Sequence, residues 1–157
     1  MSDSAVLENT DRIERTIHIR AARSRVWNAL TNAREFGKWF GCDLESQAFE
    51  PGKSVRGPFV KAGCEHYVFS AVIDRVEPEK LFSYRWHPGG LDPSKYPDEK
   101  PTLVTFTLAE ADGGTMLTVV ESGFDALPPE RRVPAWHMNS EGWDAQLGNL
   151  DRYASAV

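Results

Sequence analysis

From Asp43 to Val120 the chain passes through one run of β-forming residues after another, broken by turns, and only after Pro128-Pro129 does a single long helical stretch begin. Few folds are open to a sequence ordered this way. Consecutive strands joined by short turns pair antiparallel, and a half-buried antiparallel sheet needs something to cover its apolar face. The terminal helix is the natural cover. The expected architecture is therefore an α+β domain in which a sheet of six or seven strands curls around one C-terminal helix.

The rest of the chain is read around that frame. Residues 1–11 are polar and acidic and read as a flexible lead, so the single domain is expected over 12–157. Arg12 to Ile19 alternates around Ile13, Ile17 and Ile19, as a half-buried strand does. Ser24 stands as a helix N-cap before Val26, Trp27 and Leu30, and Asn32 to Phe40 reads as a second short helix limited by Gly37. The strands expected next are Asp43 to Glu50 and Ser54 to Phe59, a hairpin through Pro51-Gly52-Lys53, then Cys64 to Val76 and Leu81 to Trp86. Leu103 to Leu108 and Thr115 to Val120 form the last hairpin, through Asp112-Gly113-Gly114. Between them His87 to Pro101 is too rich in proline and glycine to be a central strand, and is read as a long loop of the kind that covers binding sites. Pro128 and Pro129 suit a first helical turn, while Pro134 marks a kink or a late start.

Several function classes are excluded or disfavoured. The net charge is -5, and the basic residues Arg20, Arg23, Arg25 and Arg131-Arg132 read as solvated faces, so neither a nucleic acid nor an anionic membrane is an expected partner. No apolar stretch approaches the ~18 residues of a membrane span. With two cysteines, no CxxC spacing and no leader-like start, a cytoplasmic location with reduced thiols is expected. Ser122 sits in Val-Glu-Ser-Gly-Phe, which lacks the first glycine of a nucleophile elbow, and no glycine-rich loop opens a helix. Cys64 and His66 share a strand face that His87 could approach, yet a thiol beside a strand histidine is far commoner as packing than as a ligand set. No metal and no cofactor is expected.

Two features point towards a small-molecule site. Glu121 continues the alternation Leu117, Val119, Glu121, so it should face the apolar side of its strand. There it either needs partners, as a ligand anchor or general base does, or it sits at the strand end half solvated or paired with an arginine. On the terminal helix Trp136, Trp143, Leu147, Leu150 and Ala154 form an apolar stripe, flanked at seven-residue spacing by Asn139, Gln146 and Tyr153. Bulky indoles beside amides suit a helix that lines a cavity better than one that seals a core. The candidate binding set is Trp39, Phe40, Phe69, Trp86, Phe106, Glu121, Phe124, Trp136, Asn139, Trp143, Gln146 and Leu147.

The order of these elements resembles a known family. The strand and helix from Ile13 to Leu30, the Trp39-Phe40 corner, Val76-Glu77-Pro78 before Leu81 to Trp86, Gly113-Gly114-Thr115, Glu121-Ser122-Gly123-Phe124 and Gly142-Trp143 carry the likeness. They are similar to single-domain members of the START-like (SRPBCC) superfamily grouped with the activator of Hsp90 ATPase homologue. The resemblance implies a helix-grip fold with a pocket between sheet and helix, and superfamily members that bind lipids, sterols, polyketides or hormones. The expected function is thus the binding of a hydrophobic or amphipathic, aromatic-containing ligand. A cyclase- or hydrolase-like enzyme using Glu121 or His66 is the alternative, and a co-chaperone-like module the third reading. Protein partners in view are a second copy of the chain and an Hsp90 homologue.

Overall fold

The computed structural model describes residues 11–64, 67–88 and 98–156. Its elements run β1 (Arg12–Ile19), α1 (Arg23–Thr31), α2 (Ala33–Phe40), β2 (Ser54–Pro58), β3 (Val68–Glu77) and β4 (Leu81–Trp86), then β5 (Thr102–Ala111), β6 (Gly114–Ser122) and α3 (Pro129–Ser155). A short 3-10 turn, Phe124–Ala126, joins β6 to α3. The strands form one antiparallel sheet in the order β1-β6-β5-β4-β3-β2, with two short helices after the first strand and the long helix across one face. This is the α+β helix-grip fold expected from the sequence.

Period-two alternation decides which face is covered. Phe69, Ala71 and Ile73 of β3, Phe82 and Tyr84 of β4, Val104, Phe106 and Leu108 of β5, and Leu117 and Val119 of β6 are all buried. The helix answers with Ala135, Asn139, Trp143, Leu147, Leu150 and Ala154, spaced three or four apart so that they form one stripe. Burying each large apolar side chain of such an interface contributes about 1.5–3 kcal/mol. Phe36 stacks on Phe40 with ring centroids 4.9 Å apart and packs edge-on to Trp39, so α2 closes one end of the sheet with aromatic rings.

Five local expectations need correction. Asp43 to Glu50 is not a strand. Leu44 is buried there as a strand residue would be, but Glu45 adopts φ 55° and the side chain of Gln47 does the pairing. Its amide donates to the Arg56 carbonyl at 2.8 Å and accepts from the Arg56 N–H at 3.1 Å, replacing a strand neighbour for β2. Strand β2 therefore pairs with β3 rather than with a preceding hairpin arm. Secondly, α1 starts at Arg23 after Ala22, so Ser24 is inside the helix and is not its cap. Thirdly, Gly37 does not limit α2, which ends at Gly41 with φ 95°. Gly37 instead lets the chain fold back, since a Cβ there would meet the Cys42 carbonyl oxygen at 2.2 Å. Finally, β3 begins at Val68, after a turn over 61–64, and α3 starts at Pro129 rather than late at Pro134, which lies inside the helix.

Candidate functional site

The site is built outwards from Glu121. Its position on β6, opposite Ile13 of β1 and Val104 of β5, directs the side chain under the helix, and the residue is fully buried. A carboxylate taken out of water must be given hydrogen bonds or a counter-charge. Here it receives four neutral donors. Trp143 Nε1 donates to Oε1 at 2.8 Å, Trp86 Nε1 to Oε2 at 2.8 Å and Thr102 Oγ1 to Oε2 at 2.6 Å. Asn139 Nδ2 lies 2.9 and 3.0 Å from the two oxygens. Every contact is a donor, the set an acceptor-only carboxylate takes, and no arginine takes part among the described residues.

That network orients residues on two walls of a cavity, Trp86 on one and Asn139 and Trp143 on the other, while Glu121 itself does not face it. A space of about 240 Å³ lies between α3 and the β3–β4 end of the sheet. Met138, Asn139, Gly142, Trp143 and Gln146 form its helix wall, and Val68, Phe69, Ser70 and Trp86 its sheet wall. Phe40, Phe59, Cys64, Tyr67 and His87 complete the lining, whereas Glu121 stands one layer behind. The indole N–H groups of Trp86 and Trp143 point back to Glu121, so both rings give the cavity their carbon edges and faces. Gln146 is likewise engaged by the protein: its Nε2 donates to the Phe40 carbonyl at 2.8 Å and its Oε1 accepts from Asn149 at 3.2 Å.

Of the residues expected to bind, Phe40, Phe69, Trp86, Asn139, Trp143 and Gln146 meet around this cavity. Trp39, Phe106, Phe124 and Leu147 are core residues outside its lining. Trp136 lies elsewhere and donates its N–H to the Arg12 carbonyl at 2.9 Å. His66 and positions 89–97 of the expected loop fall outside the described residues. Phe59, Val68, Ser70, Met138 and Gly142 were not anticipated. Val68 and Ser70 belong to the face of β3 opposite Phe69, Ala71 and Ile73, so alternation along the strand did not point to them.

Other titratable groups surround the site. His87 Nδ1 lies 3.9 Å from Glu99 Oε2, and Arg131 Nε donates to Glu99 Oε1 at 3.0 Å, so Arg131 is half-buried and paired with a buried carboxylate rather than part of a solvated face. Burial, and then the negative charge of Glu121, push the Tyr84 hydroxyl well above the usual phenol range. That hydroxyl has no hydrogen-bond partner. Burial beside Asp43 pushes the Cys42 thiol up to about 12, which keeps it protonated and unreactive.

A curved antiparallel sheet gripping one terminal helix, with an aromatic cavity between them, defines a START-like helix-grip domain. The chain belongs to the Activator of Hsp90 ATPase homolog 1-like family, whose model matches residues 20–155. Among solved structures it is similar to DynU16, a protein of the dynemicin biosynthetic locus, at 27% identity and a TM-score of 0.69 over 91% of this chain. The match spans 46% of DynU16, a longer chain. MLL2253 from Mesorhizobium loti is similar at 25% identity and a TM-score of 0.67, covering 90% of this chain and 95% of that one. CV1439 from Chromobacterium violaceum shares the fold at 23% identity and a TM-score of 0.68, covering 94% and 99%. No curated protein matches the sequence. No helix among the described residues is long and apolar enough to cross a membrane.

Proposed function

We propose that the protein binds a small apolar or amphipathic molecule, with an aromatic body, between α3 and the β3–β4 end of the sheet. The observation that carries this is the cavity itself. At about 240 Å³ it exceeds the roughly 150 Å³ that accepts a benzene ring. Its walls are mostly rings and aliphatic carbon, with a few polar groups such as Ser70 and His87, and a buried polar network holds them. The likeness to DynU16 adds a relative from a biosynthetic locus, a setting where small molecules are made and handed on.

Glu121 acts in this reading as a positioning residue. Four protein donors occupy its oxygens and two indoles stand between it and the cavity, an arrangement that suits holding walls better than moving protons. Gly142 offers the direct test. It lies inside α3 on the cavity wall, and a Cβ added there meets nothing within 4 Å. Gly142→Phe should therefore fill the cavity while keeping the fold, since replacing a mid-helix glycine removes a cost of about 0.5–1 kcal/mol. Native mass spectrometry with denaturing extraction should find a retained molecule in the wild-type protein and none in the variant. Quenching of Trp86 and Trp143 by added aromatic compounds should fall in parallel. Equal binding by both proteins would place the ligand elsewhere and refute the proposal.

A further inference from the structure

We propose that the ligand is an anion, with an apolar body inside the cavity and a carboxylate outside it, paired with Lys38 and Lys61. This rests on the cavity being a binding site, and goes further by assigning the ligand's charge and orientation.

The inner end of the cavity is closed to a charged head group. The N–H groups of Trp86 and Trp143 serve Glu121, and among the described residues no lysine or arginine lines the space. An anion pushed inwards would also approach the buried Glu121 carboxylate. A charged head is therefore better matched at the mouth, which is cationic. A second groove adjoins the cavity, sharing Phe40, Phe59, Gly142 and Gln146 with it, and carries Lys38, Lys61 and Arg152 on its walls. No aspartate or glutamate lines that groove among the described residues. In a chain of net charge -5, such a grouping is local and opposite in sign to the whole. Lys38 comes from the last turn of α2 and Lys61 from the turn between β2 and β3, so the two charges approach from different elements. Neither has a carboxylate partner among the described residues, whereas Lys53, Arg25, Arg85 and Arg131 all do. Arg152 is the less available cation, since its guanidinium donates to Asn149.

The test compares three probes with one aromatic body: phenylhexanoate, phenylhexanol and phenylhexylammonium, titrated calorimetrically into the full-length protein. Two solvated charge pairs should make the carboxylate bind about tenfold more tightly than the alcohol, with the ammonium weakest. The preference should shrink as salt is raised. Lys38→Gln/Lys61→Gln, at two exposed positions where folding is not at stake, should lower phenylhexanoate affinity to that of the alcohol and leave phenylhexanol unchanged. If acid and alcohol bind the wild-type protein equally, the cavity reading stands and this inference is overturned. If none of the three binds, the cavity reading falls and this inference with it.

Discussion

Glu121 and Glu99 are both removed from water behind the cavity lining, yet the protein holds them in opposite ways. Glu99, whose side chain is 6% exposed, takes the guanidinium fork of Arg131, which stays 23% exposed and so keeps part of its hydration. Glu121 lies deeper and takes no cation, only two indoles, a threonine and an asparagine. Bringing a guanidinium to that depth would add a second large desolvation cost. Neutral donors on rigid rings avoid it, and each hydrogen bond also fixes the tilt of a ring. The ion pair ties the segment before β5 to the first turn of α3; the neutral network shapes a wall.

This contrast can be broken first at Glu121. Glu121→Ala takes the acceptor from the two indole N–H groups and the Asn139 amide, while Thr102 Oγ1 keeps the Trp86 carbonyl at 3.4 Å; at about 1–2 kcal/mol for each of the three, it should cost roughly 3–6 kcal/mol in urea unfolding. Glu121→Gln keeps the shape but turns one acceptor into a donor, so it should lose roughly half as much while retaining the fold. In both, Trp86 and Trp143 fluorescence should change, because their N–H bonds change. Arg131→Ala should cost less, about 1–2 kcal/mol, because the pair reaches the surface. Raising salt should weaken that pair while leaving the Glu121 network untouched, so unfolding at two ionic strengths separates the two carboxylates.

The smallest effect falls on Tyr84, which feels the charge of Glu121 but makes no bond. Its folded hydroxyl titrates above the unfolded value of about 10, so the unfolded chain loses that proton first and stability falls as pH rises past about 10. Tyr84→Phe should remove the phenol's part of this alkaline fall, leaving the part due to the Cys42 thiol, which burial likewise holds up, and change neutral-pH stability by under about 1 kcal/mol, in the stabilising direction. An unchanged alkaline profile would mean that the hydroxyl is not held in the folded state as described.

Much of the frame was legible in local pattern. The inward direction of Glu121 follows from a period of two along Leu117, Val119 and Glu121, and Trp143 and Asn139 from the helical period. Its partners were not legible as a set, because Trp86, Thr102, Asn139 and Trp143 belong to three elements that only the tertiary fold brings together. The alternation also misled at 43–50. Leu44 carries a strand-like burial signal there, but a side-chain amide had already taken the backbone partners a strand would use. Gly142 entered only through the likeness, although the helical period that puts it three residues after Asn139 and four before Gln146 places it on their flank.

The amide of Gln47 has a further consequence, for the company the molecule keeps. An open sheet ends in two strands with unpaired backbone groups, and such edges invite strands from other chains. In this protein β2 is lined on its outer side by Gln47 and by the Asp43 N–H, which donates to the Pro58 carbonyl at 2.9 Å. Its last residue is a proline, which has no N–H to offer. At the opposite margin Trp136 takes the Arg12 carbonyl, and Arg15 reaches across to Ser140 and Asp144 of the long helix. Both borders are hemmed, so a crowded solution of these molecules is protected against zipping into fibres edge to edge.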